Sequence, residues 1–277
     1  MVIAQKNDGQ FGNKLLISAH IIAYCLSRQE PLVSFTLGSY AHYFRADRFR
    51  ENRIYLMPLS WQQRFLSAIV GISQRVAQTL FKYRVLERHR VGWVHTELRD
   101  ITSRKAPLLQ LEGEGFRSTT DLLVNATRIR QLFTPKRVYS ETVKRIVEPL
   151  KRDYDVLIGV HLRRADYRQW QGGKYYFDDN IYRNVIVQMR GLLTQKKPVF
   201  ILCSDEPLDA AYFSEQDLYL SKNEMIIDLY LLASCDYLIG PPSTFSGWSS
   251  FYGNVPLWTI ENQATKISLA DFKSCTL

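Results

Sequence analysis

Val156-Leu157-Ile158-Gly159-Val160-His161-Leu162 is followed at once by Arg163-Arg164-Ala165-Asp166-Tyr167. The first seven residues are apolar on both alternating faces, which reads as a short strand buried on both sides, and the charged residues that follow mark its carboxyl end. Outward from it, Val199–Cys203, Leu218–Leu220, Tyr237–Gly240 and Val255–Ile260 are apolar runs separated by segments of helical pattern. Buried strands alternating with helices predict a parallel α/β sheet with right-handed crossovers. Ligands of such sheets bind beyond the carboxyl ends of the strands, so the residues just after each run are the candidates for chemistry.

After the first run, side-chain alternation puts His161 and Arg163 on one face of the strand end. Arginine offers a planar fork of donors and a permanent charge, suited to the diphosphate of a departing nucleotide, and Asp166 can pin one of the two arginines. The competing reading makes Arg164 and Asp166 an ordinary surface pair and His161 a hydrogen-bonded core residue. After the second run, Ser204-Asp205-Glu206 offers a carboxylate to a base or ribose, while the following Pro207 equally suits a helix cap. After Tyr237–Gly240, the turn Pro241-Pro242-Ser243-Thr244-Phe245-Ser246-Gly247-Trp248 opens a helix. Its backbone N–H groups and hydroxyls predict an anion cradle, with simple capping as the alternative.

The first half is less regular. Val2–Gln5 reads as a strand, Asn7–Asn13 as a glycine-containing turn, Lys14–Arg28 as a helix and Pro31–Thr36 as a second strand. Trp61–Arg90 has apolar residues at helical spacing with arginines opposite. Residues 93–118 are irregular, with a strand at Pro107–Leu111, and Thr119–Leu150 reads as two helices broken at Pro135. The glycine turn at Gly9–Asn13 lacks GxGxxG spacing but can bring backbone close to a diphosphate or sugar. The expected division is an acceptor-side Rossmann-like lobe over residues 1–150 and a nucleotide-sugar lobe over 151–277.

With 277 residues, 46 % of them hydrophobic, the chain can bury a substantial core. Cys25, Cys203, Cys235 and Cys275 have no CxxC spacing, which predicts reduced thiols and a cytoplasmic protein. Leu15–Leu26 is too short and polar to span a bilayer. The net charge is +9, and residues 1–150 carry 23 Lys and Arg against 12 Asp and Glu, so the basicity lies in the first half. That asymmetry leaves open both a solvated helical face and attraction to an anionic partner such as nucleic acid, a phosphorylated acceptor or a membrane surface, the last as a peripheral contact with the inner face. No nucleic-acid module is visible, and none is expected as a partner. Asp153-Tyr154-Asp155 has the Asp-x-Asp form of a metal site but precedes its strand, at the wrong sheet edge. His20, His42, His89, His95 and His161 lack paired ligand spacing. No metal or other cofactor is expected.

Taken in order, Gly9-Gln10-Phe11-Gly12-Asn13, His161-Leu162-Arg163-Arg164-Ala165-Asp166-Tyr167, Cys203-Ser204-Asp205-Glu206 and Ser243-Thr244-Phe245-Ser246-Gly247-Trp248 resemble the motifs of the α-1,2-fucosyltransferases and their protein O-fucosyltransferase and α-1,6-fucosyltransferase relatives. The resemblance covers the second half well and the first half around the glycine turn. It implies a GT-B fold of two Rossmann-like lobes with the donor in the cleft between them. It also implies inverting, metal-independent transfer of fucose from GDP-fucose to a hydroxyl of a glycan or other acceptor.

On this resemblance Arg163 contacts the diphosphate, His161 and Asp205 the ribose or guanine side, and Ser243, Thr244 and Phe245 the phosphates, while Asn13 reaches the donor from the first lobe. Gly12, Arg164, Asp166 and Ser246 complete the donor set. Asp8 is the candidate base for the acceptor hydroxyl, with substrate-assisted proton transfer as the alternative. The chain departs from the family at Ala165, where glycine is usual, at Gly247, where a second tryptophan is usual, and at Pro242, where an asparagine-like residue is usual. Those changes leave the donor sugar and linkage open. The rival readings are a transferase for another nucleotide sugar and a non-catalytic basic protein that binds nucleic acid or a membrane surface.

Overall fold

A computed structural model describes residues 1–5, 9–58, 60, 86–102, 106–263 and 266–275. The chain divides into two compact units, Met1–Lys136 and Arg137–Leu277.

The first unit contains β1 (Val2–Ala4), α1 (Phe11–Arg28), β2 (Leu32–Ser34), α2 (Ala46–Glu51), β3 (Ile54–Leu56), β4 (Leu86–Val91), β5 (Thr96–Glu97), α3 (Leu98–Ile101), β6 (Leu108–Gly113), β7 (Phe116–Arg117), α4 (Thr119–Val124) and α5 (Ala126–Leu132). Its main sheet runs β3-β2-β1-β6-β4 with all neighbours parallel. The strand order reverses between β1 and β6, so the crevice favoured for ligands lies where β1 leads into α1 and β6 ends at Gly113. Nearly every residue of α1 from Phe11 to Cys25 is buried, as expected of a helix apolar all round. It stops at Gln29, whose φ of 54° is left-handed.

Three sequence expectations are corrected here. Helix α1 begins at Phe11, so Gly12 and Asn13 lie in its first turn and only Gly9 and Gln10 of the described turn precede it. Leu86–Val91, predicted as the end of a helix, is a strand. It pairs with β6 in a register that sets Arg88 opposite Gln110 and Arg90 opposite Glu112. Arg88 Nε donates to Gln110 Oε1 at 2.9 Å and Arg90 lies 3.4 Å from Glu112, so cross-strand pairs hold the charged edge. Residues 119–150 form three helices instead of two, because the chain also breaks at Asn125. The rest of that segment, residues 61–85, expected as one or two amphipathic helices, lies outside the described residues.

The second unit contains α6 (Arg137–Asp153), β8 (Val156–Leu162), α7 (Asp179–Leu192), β9 (Pro198–Ser204), β10 (Leu218–Leu220), α8 (Met225–Leu232), β11 (Tyr237–Gly240), α9 (Thr244–Gly253), β12 (Pro256–Thr259) and β13 (Lys273–Ser274). The expected boundary at residue 150 leaves α6 in the first lobe, but the helix packs with α8 and β8 of the second unit. The sheet order is β10-β9-β8-β11-β12-β13, parallel except for the antiparallel β13.

All seven residues of β8 are buried. Val156, Ile158, Val160 and Leu162 point into one cluster with Tyr182, Val185, Ile186 and Met189 of α7. Those α7 positions repeat at three and four residues, the spacing of one helical face. The strand order reverses between β8 and β11, which brings the carboxyl ends carrying His161 and Gly240 side by side.

Candidate functional site

At the end of β8, backbone alternation sets His161 and Arg163 on one face: His161, still within the strand, is buried, and Arg163, one residue beyond it at the sheet edge, keeps only 16 % of its side-chain exposure. Two carboxylates hold the guanidinium: Asp166 Oδ1 lies 2.6 Å from Nη2, and Asp205 Oδ2 lies 2.9 Å from Nη1. Asp205 comes from the end of β9, and its other oxygen accepts the backbone N–H of Arg164 at 2.9 Å. One carboxylate thereby ties together the ends of two neighbouring strands and fixes the direction of the Arg163 fork. The helix that could have begun at Ser204-Asp205-Glu206 does not form. The capping alternative fails because the Asp205 carboxylate is committed to β8.

Arg164 points elsewhere. Its guanidinium is buried, donates to Asp179 at the start of α7 and lies 5.5 Å from the Tyr182 ring centre. It thus clamps α7 to the strand end, and the structure places Arg163, not Arg164, at the outer edge. Sequence reasoning misses Asp179 and Tyr182; a carboxylate in the first turn of a helix carries no local sign of a distant arginine.

Across the switch point, Ser243 caps α9, its Oγ accepting the N–H of Phe245 at 3.2 Å. The capping and anion-cradle readings coexist, since a cap satisfies one N–H of the several that a helix start exposes. Ser246 Oγ and His161 Nδ1 share a hydrogen bond of 2.7 Å, and the Phe245 ring lies 4.9 Å from the imidazole at an angle of 32°. Burial first, and the Arg163 charge second, push the His161 pKa down to about 3, so the ring is neutral at physiological pH. Gly240 makes this contact possible: a Cβ there would sit 3.0 Å from Ser246 Oγ and 3.2 Å from His161 Cβ. Tyr167, whose role sequence reasoning also misses, donates its hydroxyl to the carbonyl of Pro242 at 2.5 Å, joining the β8 loop to the β11 turn. Thr244 is the first residue of α9.

The second unit therefore brings together His161, Arg163, Asp166, Asp205, Ser243, Thr244, Phe245 and Ser246 at one sheet edge. A cation on a rigid carboxylate mount faces the same crevice as a capped helix start, an arrangement suited to a diphosphate.

In the first unit, Gly12 and Asn13 occupy the corresponding crevice. Asn13 Nδ2 donates to Glu114 Oε2, 3.3 Å away, just beyond β6. A Cβ at Gly9 would lie 2.2 Å from that amide nitrogen, which accounts for glycine in the turn. Asp8, the expected base, lies outside the described residues.

Asp153 and Asp155 stand at the opposite edge of the second sheet, before β8, and Asp155 Oδ2 accepts the N–H of Lys197 at 2.8 Å. Among the described residues no group of three or more His, Cys, Asp or Glu side chains could hold a metal ion, and no helix is long and apolar enough to cross a membrane.

Solved structures share this fold. The chain superposes on a mutant of Arabidopsis thaliana FUT1 in complex with GDP with a TM-score of 0.59 and 15 % identity, covering 98 % of this chain and 73 % of that one. For the fucosyltransferase NodZ from Bradyrhizobium the TM-score is 0.56 at 17 % identity, covering 98 % and 95 %. For POFUT1 in complex with GDP-fucose it is 0.54 at 10 % identity, covering 94 % and 96 %. No protein-family model matches the sequence, and no curated protein does. The fold is the pair of Rossmann-like α/β units that the motif resemblance implies for the GT-B class.

Proposed function

We propose that the chain is a glycosyltransferase that moves fucose from GDP-fucose to a hydroxyl of a glycan or other acceptor, with inversion and without a metal. The observation that carries this reading is the mounting of Arg163. Its guanidinium is set at the topological switch point by Asp205 and Asp166, opposite the Ser243-capped start of α9. The likeness of fold to solved fucosyltransferases and the order of the four motifs add the choice of guanosine donor and of fucose.

In the proposed reaction the acceptor oxygen bonds to the anomeric carbon as the bond from that carbon to the diphosphate oxygen breaks. GDP leaves with the electron pair, and its growing negative charge is met by Arg163 and the α9 start. The acceptor proton passes to Asp8 or to the departing diphosphate itself. His161, neutral and hydrogen-bonded to Ser246, positions the wall of the site and takes no part in the proton transfer. Metal-free transfer is part of the proposal because a fixed guanidinium and helix N–H groups provide the counter-charge, and Asp153-Tyr154-Asp155 stands at the far edge.

The test is thermal stabilisation of wild type and Arg163→Ala by GDP, GDP-fucose, UDP-glucose and dTDP-glucose in the presence of EDTA. At a hundredfold excess over Kd a ligand stabilises by about 2.7 kcal/mol, an ample shift. Guanosine nucleotides should raise the wild-type Tm and leave the variant unmoved. A shift with only uridine or thymidine nucleotides would discard fucose and keep the class. No shift with any nucleotide would discard the transferase reading.

A further inference from the structure

The loop between β8 and α7 carries an aromatic side chain, Trp170, that the donor site does not use. Tyr167 is 8 % exposed, and the Trp170 ring stacks on it with centres 4.8 Å apart and planes within 27°. Tyr175 lies beside Trp170, with ring centres 5.6 Å apart and planes inclined by 35°. Trp170 nevertheless remains 41 % exposed. The indole is thus braced by two tyrosines while a large part of it stays open.

Burying a tryptophan is strongly favourable, so a braced but open indole keeps apolar area in water that a ligand can cover. The brace also removes rotamer freedom before binding, so less entropy is lost when a partner docks. The backbone turns sharply directly after Trp170: Gln171, Gly172 and Gly173 all have left-handed φ, from 49° to 77°.

The platform is continuous with the candidate site. Arg163 lies 5.5 Å from the centre of the Tyr167 ring, and the Tyr167 hydroxyl reaches the turn before α9. Trp170 is therefore one ring further from the diphosphate-facing guanidinium than Tyr167.

We infer that Trp170 is the platform for a pyranose ring of a saccharide acceptor. This rests on the transferase reading above and narrows its acceptor to a carbohydrate. A pyranose presents a face of axial C–H groups that packs on the electron-rich indole, with its hydroxyls left at the rim for the polar loop. Arg163 and Lys174 already lie toward the Tyr167 and Tyr175 rings, Lys174 Nζ at 4.9 Å from the latter, so the indole is the ring left for a neutral sugar face.

The experiment combines calorimetry and transfer. Binding of GDP-fucose to wild type, Trp170→Ala and Trp170→Phe is measured by titration. The same proteins, with labelled GDP-fucose, are then applied to an array of immobilised glycans and of serine- and threonine-containing peptides. The inference expects label on glycans, about tenfold less with Trp170→Ala, largely restored by Trp170→Phe, and donor affinity within about twofold throughout. Label on peptides, no label on any glycan despite donor binding, or glycan labelling indifferent to Trp170→Ala would overturn it. A parallel loss of donor affinity in Trp170→Ala would assign the platform to the nucleotide base instead and equally overturn it. Absence of GDP-fucose binding to wild type is read separately, on the calorimeter, and would remove the transferase reading and this inference together.

Discussion

Asp205 holds Arg163 and Arg164 at once, through its two oxygens: one lies 2.9 Å from the Arg163 guanidinium and the other accepts the Arg164 backbone N–H, also at 2.9 Å. The pair is a brace between neighbouring strand ends as much as an ion pair. A fork fixed in this way needs no reorganisation when an anion arrives, which is the condition under which a fixed charge is most useful in catalysis.

The two carboxylates on Arg163 should therefore differ in importance. Asp205 retains 17 % of its side-chain exposure and is tied to the backbone, whereas Asp166 retains 46 % and is screened by water. Asp205→Asn is expected to weaken GDP binding about tenfold or more, a loss of about 1.4 kcal/mol or greater. Asp166→Asn should stay within about threefold, since exposed pairs contribute ~0–1 kcal/mol. Calorimetric titration with GDP decides it; equal losses in the two variants would refute the division of roles.

His161 and His20 should both remain neutral down to about pH 5. Burial is the leading cause in each, followed by the charge of Arg163 for the first and Arg117 for the second, and each pKa falls to about 3. His20 also accepts the N–H of Ser118 at Nδ1, 3.0 Å away, which a protonated ring could not do. Their folded values lie below the unfolded value near 6.5, so their contribution to stability is complete above pH 6.5 and is lost as pH falls toward 3. NMR titration should find the imidazoles of His161 and His20 unresponsive between about pH 8 and 5. A midpoint near 6.5 for either of them would contradict the packing.

Asp228 acts in the opposite sense. It is buried on α8, accepts the Ser221 hydroxyl, and desolvation raises its pKa to about 7 in spite of that hydrogen bond. A raised carboxyl pKa means stability that is full below the unfolded value near 4 and lost as pH rises through 7. Asp228→Asn should thus gain on wild type between about pH 5 and pH 8, by on the order of 2 kcal/mol, because each pH step of one between the unfolded and folded pKa values costs wild type ~1.4 kcal/mol. Denaturant melts at the two pH values test this. A difference independent of pH would mean that Asp228 is ionised throughout.

Gly240→Ala should disturb the wall of the site more than its size suggests. The new methyl would press on Ser246 Oγ and on His161 Cβ, at 3.0 and 3.2 Å, at a point where strands β8 and β11 are already paired. A loss of about 1–3 kcal/mol is expected, as for overpacking elsewhere, together with weaker GDP binding. Unchanged stability and affinity would show that the His161–Ser246 contact can give way freely.

The second unit is largely legible from sequence, and the first in part: β1, α1, β2 and β6 lie where the apolar runs put them, and β4 does not. In β8 every residue is buried, so apolar character alone marks the strand, and the charged residues directly after it mark the ligand edge. The edge strand β4 gives no such signal: Leu86-Glu87-Arg88-His89-Arg90-Val91 has charged residues at most positions and resembles the helical pattern before it. Its extended form depends on β6, some twenty residues later, through the Arg88–Gln110 and Arg90–Glu112 pairs. The same applies to α6, whose helical character is local but whose partners in the second unit are not.

By itself, the sequence determined the buried strands of the second unit, the order of its motifs, the excess of positive charge in the first half and the candidates Arg163, Asp205 and Ser243. These depend on apolar periodicity and on residue chemistry, both of which are local. Only the tertiary structure decided that Asp205 braces β8 instead of capping a helix, that Arg164 turns inward to Asp179, that His161 is neutral against Ser246, and that Trp170 rests on Tyr167 with much of its ring open. Each of these depends on a partner brought close by parallel strand pairing and crossover helices. The identity of such a partner is a property of the sheet's order and is not encoded in either neighbourhood of the chain.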